Sequence, residues 1–293
     1  MADRRNSRGC RLHRKPMTKP DILYCQCAHT ELVPGSEQEK IRAILGQVAE
    51  RVIPISDLCG WVARKAPELK EWANTPGLNI IACYPRSVIE LFRAAGVTLD
   101  TEQVTLINQR ASTPEEIAEQ LGLDPDPVNV EPIEPAPVID DASPWFPVID
   151  RSRCVDCKQC LNFCLFDTYQ EAEDGSVEVA NPLNCKLNCP ACARICPEAA
   201  IIFPKYADAP INGDNISDEA AVKEQIQVNV EEILGNDIYA ALARRKARAK
   251  RRLLRPHIDP LLADAEREKF LKETSTPISF APPSKPTPPD QED

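Results

Sequence analysis

A chain of 293 residues is long enough for about two domains, but 5% aromatic content and 28 prolines imply modest cores joined by extended segments. The formal net charge of −10 at pH 7 argues against general nucleic-acid binding and favours partners with a basic surface. No apolar run approaches the length of a membrane span. The basic N-terminus lacks the apolar stretch of a secretion signal despite Arg4-Arg5, and 13 cysteines suit a reducing compartment, so a cytoplasmic protein is expected.

Residues 1–20 read as a basic, disordered tail whose lone Cys10 is a surface thiol without a ligand role. Residues 21–123 read as an α/β domain. Ile22-Leu23-Tyr24 is a short strand, and Glu37–Arg51 is a helix with Ile41, Ile44, Leu45 and Val48 at helical spacing and Ser36 as its N-cap. Val52–Ile55 is a second strand, Trp61–Ala73 a second helix, and Leu78–Ala82 a third strand. Pro85 opens a third helix, lined by Val88, Ile89, Leu91 and Phe92 and stopped by Gly96. This βαβαβα order predicts a parallel sheet with covering helices. Thr98–Leu123 is expected to be a small helical closure, with Thr113-Pro114-Glu115-Glu116 as a helix start.

The cysteines of this domain follow its strands. Cys25 and Cys27 come after the first, Cys59 after the second and Cys83 after the third. Ligands bind at the carboxyl ends of strands in an open parallel sheet, so four thiols converge on one rim, the right number for an iron–sulfur cluster. Buried structural cysteines, a zinc site on the same four thiols and a redox-active Cys25/Cys27 pair are the alternatives; His29 reads as a solvated side chain. On Tyr24-Cys25-Gln26-Cys27, Cys59 and Ile81-Ala82-Cys83-Tyr84, this stretch resembles the cluster-binding N-terminal domain of the flavin-carrying heterodisulfide reductase subunits. Their flavin domain lies further along the chain, but no Gly-x-Gly-x-x-Gly fingerprint occurs here, so flavin binding is not implied.

Residues 124–144 form an acidic, proline-rich linker, expected to be extended and semi-rigid. Residues 145–206 hold two cysteine runs, Cys154-x-x-Cys157-x-x-Cys160-x-x-x-Cys164 and Cys185-x-x-x-Cys189-x-x-Cys192-x-x-x-Cys196-Pro197. Each follows the spacing that holds bacterial [4Fe–4S] clusters, apart from Leu165 in place of a proline and one extra residue between Cys185 and Cys189. Flanking strands are predicted at Val148-Ile149-Asp150, at Val177-Glu178-Val179 after an Asp174-Gly175 turn, and at Ala200–Phe203. Paired zinc sites would separate their cysteine dyads by a longer spacer, and a disulfide framework does not suit a long chain without a secretion signal.

Together these features resemble the bacterial dicluster ferredoxin family, a small α+β fold. The resemblance implies that the fourth cysteine of each run serves the other cluster. Cys154, Cys157, Cys160 and Cys196 would then hold one cluster, and Cys164, Cys185, Cys189 and Cys192 the other, with Cys25, Cys27, Cys59 and Cys83 as a third set.

Residues 207–271 read as a helical extension, opened at Ser217-Asp218-Glu219 and carrying a basic helix with Arg244, Arg245, Lys246, Arg248, Lys250, Arg251, Arg252 and Arg255. An exposed helix laid on an acidic surface is favoured for it over nucleic-acid or membrane contact, because aromatic and base-reading residues are absent. Residues 272–293 are a proline-rich tail. With no catalytic acid–base or nucleophile constellation, the sequence predicts an electron carrier or electron-transfer subunit with redox partner proteins. The alternatives are a thiol/disulfide reductase component and an iron–sulfur redox sensor using its basic helix.

Overall fold

The structure, a computed structural model, describes residues 22–138, 144–224 and 226. The basic tail with Cys10, the basic helix at 244–255 and the C-terminal tail lie outside the described residues.

The first half is an α/β layer. Its sheet has the order β2-β1-β3-β4 (Val52–Ile55, Ile22–Cys25, Asn79–Ala82 and Thr105–Asn108), all parallel. Pro54 has no N–H for a second neighbour, and β2 stands at the edge, where none is needed. Strand alternation divides the core. Ile22, Tyr24, Ile81 and Ile107 face α1 (Gly35–Leu45) and α5 (Pro114–Leu121) through Ile41, Leu45 and Ile117. Leu23, Cys25, Ile80 and Ala82 face the opposite way, onto the core of α2 (Leu58–Ala63), α3 (Glu68–Ala73) and α4 (Pro85–Ala94).

Several elements differ from the sequence reading. α1 begins at Gly35 after Pro34, so Ser36 lies inside it rather than capping it, and the helix tightens into a 3₁₀ stretch at Gly46–Arg51. The single helix expected over Trp61–Ala73 is two short ones, broken ahead of Pro67 and started earlier, where the Asp57 carboxylate accepts from the Cys59 and Gly60 N–H groups. Thr98–Leu123 is not wholly helical: it contains β4, which pairs with β3. The helix start at Thr113 is present as a reciprocal capping box with Glu116.

Residues 124–138 have neither helix nor strand but lie against the α/β layer. The Ile133 N–H donates to the Arg42 carbonyl at 3.1 Å, and the Ala136 N–H to Gln26 Oε1 at 3.1 Å. The Glu131 carbonyl oxygen passes so close to Gly46 that a Cβ there would collide with it.

The second cysteine region is built on two two-stranded antiparallel sheets. One pairs β5 (Val148–Ile149) with β8 (Ile201–Ile202), the other β6 (Tyr169–Glu171) with β7 (Val177–Val179). Short helices α6 (Gln159–Phe163) and α7 (Ala191–Arg194) follow the cysteine loops. The β5–β8 pair stands between two cores. Val148 and Ile202 join the core beneath α2–α4, while Ile149 and Ile201 face the cysteine loops. Both regions fall within one compact unit of the chain.

Candidate metal centres

In the second region, each of the two sets expected from the sequence brings thiols of one run close to a thiol of the other. Cys154, Cys157, Cys160 and Cys196 line a single small cavity, closed by Val177, Pro197, Ala200 and Ile201, with about 330 Å³ of atom-free space partly open to solvent. Burial pushes Cys160 up to about 12, and the charges of Cys196, Cys157 and Cys154 add to the rise. Burial likewise raises Cys196, opposed by the Ala200 N–H, which donates to its sulfur at 3.3 Å. In the other set, burial and then the charges of Cys164 and Cys189 push Cys185 up to about 12. Cys192 rises well above its ordinary value through burial, partly offset by a hydrogen bond from the Tyr169 hydroxyl at 3.1 Å.

The loops repeat a backbone device. Asp156, just before Cys157, and Asn188, just before Cys189, both take the left-handed conformation, with φ of 50° and 58°. Asp and Asn enter that region more readily than most residues. The extra residue of the second run therefore lies between Cys185 and Asn188, ahead of a turn that matches the first run. The fit to clusters rests on donor chemistry: Cys160, Cys192 and Cys196 are buried, where deprotonation is costly without a cation, and the Ala200 backbone N–H is aimed at the Cys196 sulfur.

The third set sits at the carboxyl edge of the parallel sheet. The chain leaves β1 toward β2 in one direction and reaches β3 on the other side, so the switch point lies between β1 and β3. Cys25 ends β1, Cys27 follows it, Cys59 lies in the first turn of α2 and Cys83 follows β3. Burial dominates the upward shift of all four, and the Asp57 charge adds to each; other thiols add at three of them, Cys27 and Cys83 on Cys25, Cys83 and Cys27 on Cys59, and Cys27 on Cys83, which reaches about 12. Cys27 itself holds φ at 51°, and the Leu58 N–H donates to Cys25 Sγ at 3.3 Å. His29 is only half-buried. Among the described residues, no group of three or more His, Cys, Asp and Glu side chains is arranged to hold a metal ion.

Residues that the sequence reading passed over join the two regions here. Lys205, placed in a loop by sequence, is buried and pairs with Asp57; both side chains are 3% exposed. Burial would lower the Lys205 ammonium, but the negative charges of Cys59, Asp57 and Cys27 outweigh it and the net shift is upward. Arg110, beyond β4, donates to the carbonyls of Pro204, Tyr206 and Ala207, and its guanidinium lies 4.9 Å over the Tyr84 ring. Arg86 donates to Asp150 at 3.0 Å and to the Asp214 carbonyl at 2.8 Å, and Ser87 to the Asn212 carbonyl at 2.7 Å. Only Ser56-Asp57, a helix-start signal ahead of Leu58, marked any of these in the sequence.

No family model matches the chain. It is 48% identical over 61 residues to an uncharacterised ferredoxin of Methanocaldococcus jannaschii, covering 20% of this chain and 41% of that one. It is 33% identical over 67 residues to Ferredoxin-3 of Nostoc sp., covering 17% and 68% respectively. It is 38% identical over 58 residues to an archaeal-type glutamate synthase [NADPH] of Dehalococcoides mccartyi, covering 19% and 11%. The chain thus spans under half the length of the first and a small part of the last. Among the described residues, no helix is long and apolar enough to cross a membrane.

Proposed function

The chain belongs to the ferredoxin family, and from that premise we propose that it is an electron-transfer protein. It carries two [4Fe–4S] clusters, one on Cys154, Cys157, Cys160 and Cys196 and one on Cys164, Cys185, Cys189 and Cys192, and serves as a carrier or as one component of a larger redox complex. The observation that carries this reading is the cavity lined by three thiols of the first run and the last thiol of the second. A bound cluster supplies one-electron chemistry without rearranging bonds. The residues around it exclude water, point N–H groups at sulfur and fix the thiolates in place. Redox partner proteins are the expected contacts.

The switch-point thiols Cys25, Cys27, Cys59 and Cys83 make a third centre. Its support is the placement of three buried thiols and the half-buried Cys83 at three strand ends, near enough that Cys25, Cys59 and Cys83 each feel the charge of another thiol. It would make residues 21–123 a cluster domain of the heterodisulfide reductase kind, wired to a ferredoxin domain at 145–206.

The test is iron and acid-labile sulfide per chain after anaerobic reconstitution. About 8 irons correspond to two cubanes alone, about 12 to a third cubane and about 10 to a [2Fe–2S] third centre. A Cys83→Ser variant should lose only the iron above 8. Zinc in place of iron throughout would overturn the proposal.

A further inference from the structure

We propose that Tyr169 is a positioning residue for the second cluster: its hydroxyl, hydrogen-bonded to the Cys192 sulfur, raises the reduction potential of that centre. The inference rests on the reading that Cys164, Cys185, Cys189 and Cys192 hold a cluster.

Tyr169 opens β6 and pairs across the hairpin with Val179. It is 5% exposed and packs in the core that contains Cys160, Cys192 and Val177. A phenylalanine would fill that core equally well. A hydroxyl there is costly unless it finds a partner, about 1–3 kcal/mol for a buried polar group left alone. Its partner is Cys192 Sγ at 3.1 Å. A phenol offers one O–H donor, and a metal-bound thiolate has no proton to give, so the direction of the bond is fixed: oxygen donates and sulfur accepts.

The consequence for the potential follows from charge. One electron entering the cluster makes the cluster and its thiolate ligands more negative, while no bond breaks and the phenol keeps its proton. A phenol ordinarily keeps its proton up to a pH of about 10, so the group stays a donor. A donor aimed at sulfur interacts more strongly with the reduced than with the oxidised state, and the difference raises the potential. In the first set, the bond to Cys196 comes instead from the backbone N–H of Ala200. A side-chain substitution can therefore tune one centre with far less effect on the other.

The experiment is an EPR-monitored redox titration of the full chain, reconstituted anaerobically, for Tyr169→Phe and for a chain with 3-fluorotyrosine at position 169. Phenylalanine removes the donor and should move one cubane to a more negative potential, with unchanged iron content, a smaller shift in the other cubane and an altered Fe–S(Cys) stretching frequency. Fluorotyrosine is a stronger donor of nearly the same shape and should move the same cubane the opposite way. Unchanged potentials in both variants at full iron content overturn the role of Tyr169. Failure of the underlying reading looks different: Cys185→Ser would then hold as much iron as the wild type.

Discussion

Replacing Lys205 by methionine tests the joint between the two cysteine regions. Methionine keeps the length and apolar stem of lysine but removes the ammonium, which leaves the Asp57 carboxylate buried without its cation. Both partners are 3% exposed, so solvent screens neither. Removing one member of a buried pair costs about 3–5 kcal/mol. Asp57 keeps the Cys59 N–H at 2.8 Å and the Gly60 N–H at 3.4 Å, which partly compensates and places the loss near the lower end, about 3 kcal/mol. With a urea dependence of about 3 kcal/mol/M, the midpoint should fall by about 1 M. The assay is anaerobic urea unfolding followed by far-UV circular dichroism, with iron content matched between proteins. Adding Asp57→Asn should recover much of the loss, because the amide oxygen still caps α2 while the buried charge is gone. A midpoint within about 0.3 M of wild type for Lys205→Met, or a double variant no more stable than the single one, would refute the reasoning.

Three further outcomes are expected. Cys196→Ser, although in the second run, should abolish the cluster proposed for Cys154, Cys157 and Cys160 and spare the one proposed for Cys164, Cys185, Cys189 and Cys192, read as loss of one EPR-distinct cubane. Gly46→Ala should destabilise the fold by about 1–2 kcal/mol in the same unfolding assay: the new Cβ would collide with the Glu131 carbonyl oxygen, and the cost of overpacking exceeds the roughly 1 kcal/mol that alanine ordinarily gains over glycine in a helix. Asp150 is held below the usual carboxylate range; burial alone would raise it, but hydrogen bonds from Ser152 and Arg86 and the Arg86 charge prevail. A depressed folded-state pKa gives stability that is complete above the unfolded value of about 3.9 and is lost as pH falls through the folded one. Urea midpoints measured downward from pH 5 should thus decline below about pH 4, less steeply in Arg86→Met.

What could be read from the sequence was what chemistry or periodicity fixes locally. The cysteine runs were legible because their short, regular spacing is written in the chain itself. β1, β2 and β3 were legible as apolar runs between helical patterns, and Pro85 and Thr113 announced their helices. β4 was missed because of its four residues only Ile107 is buried, which leaves no apolar alternation to see. The break between α2 and α3 was signalled by Pro67, and the early start of α2 by Asp57, yet the apolar spacing of Trp61, Leu69 and Trp72 masked both. Lys205 and Tyr169 were beyond reach. Their partners lie 148 and 23 residues away, and nothing local distinguishes a lysine after Phe203-Pro204 from any exposed loop residue.

The shortness of β5 and β8 explains why the ferredoxin-like region depends on the α/β layer. Two residues per strand cannot cover a core from both sides, and each strand here offers one residue to each of two cores. Val148 and Ile202 complete the core under α2–α4, so the sheet that flanks the cysteine loops is also part of the wall behind the switch-point thiols. The polar joints agree with this division. Arg86 and Ser87 stand in the first turn of α4, just past Cys83, and hold Asp150, Asn212 and Asp214. Lys205 enters from the end of β8 to reach Asp57 at the head of α2, beside Cys59. Each contact fastens the ferredoxin-like region to an element that carries or adjoins one of the four N-terminal cysteines. A linker that merely limited the separation of two independent domains would require none of them. Their number and burial mark the carboxyl edge of the parallel sheet as the place where the two regions are joined.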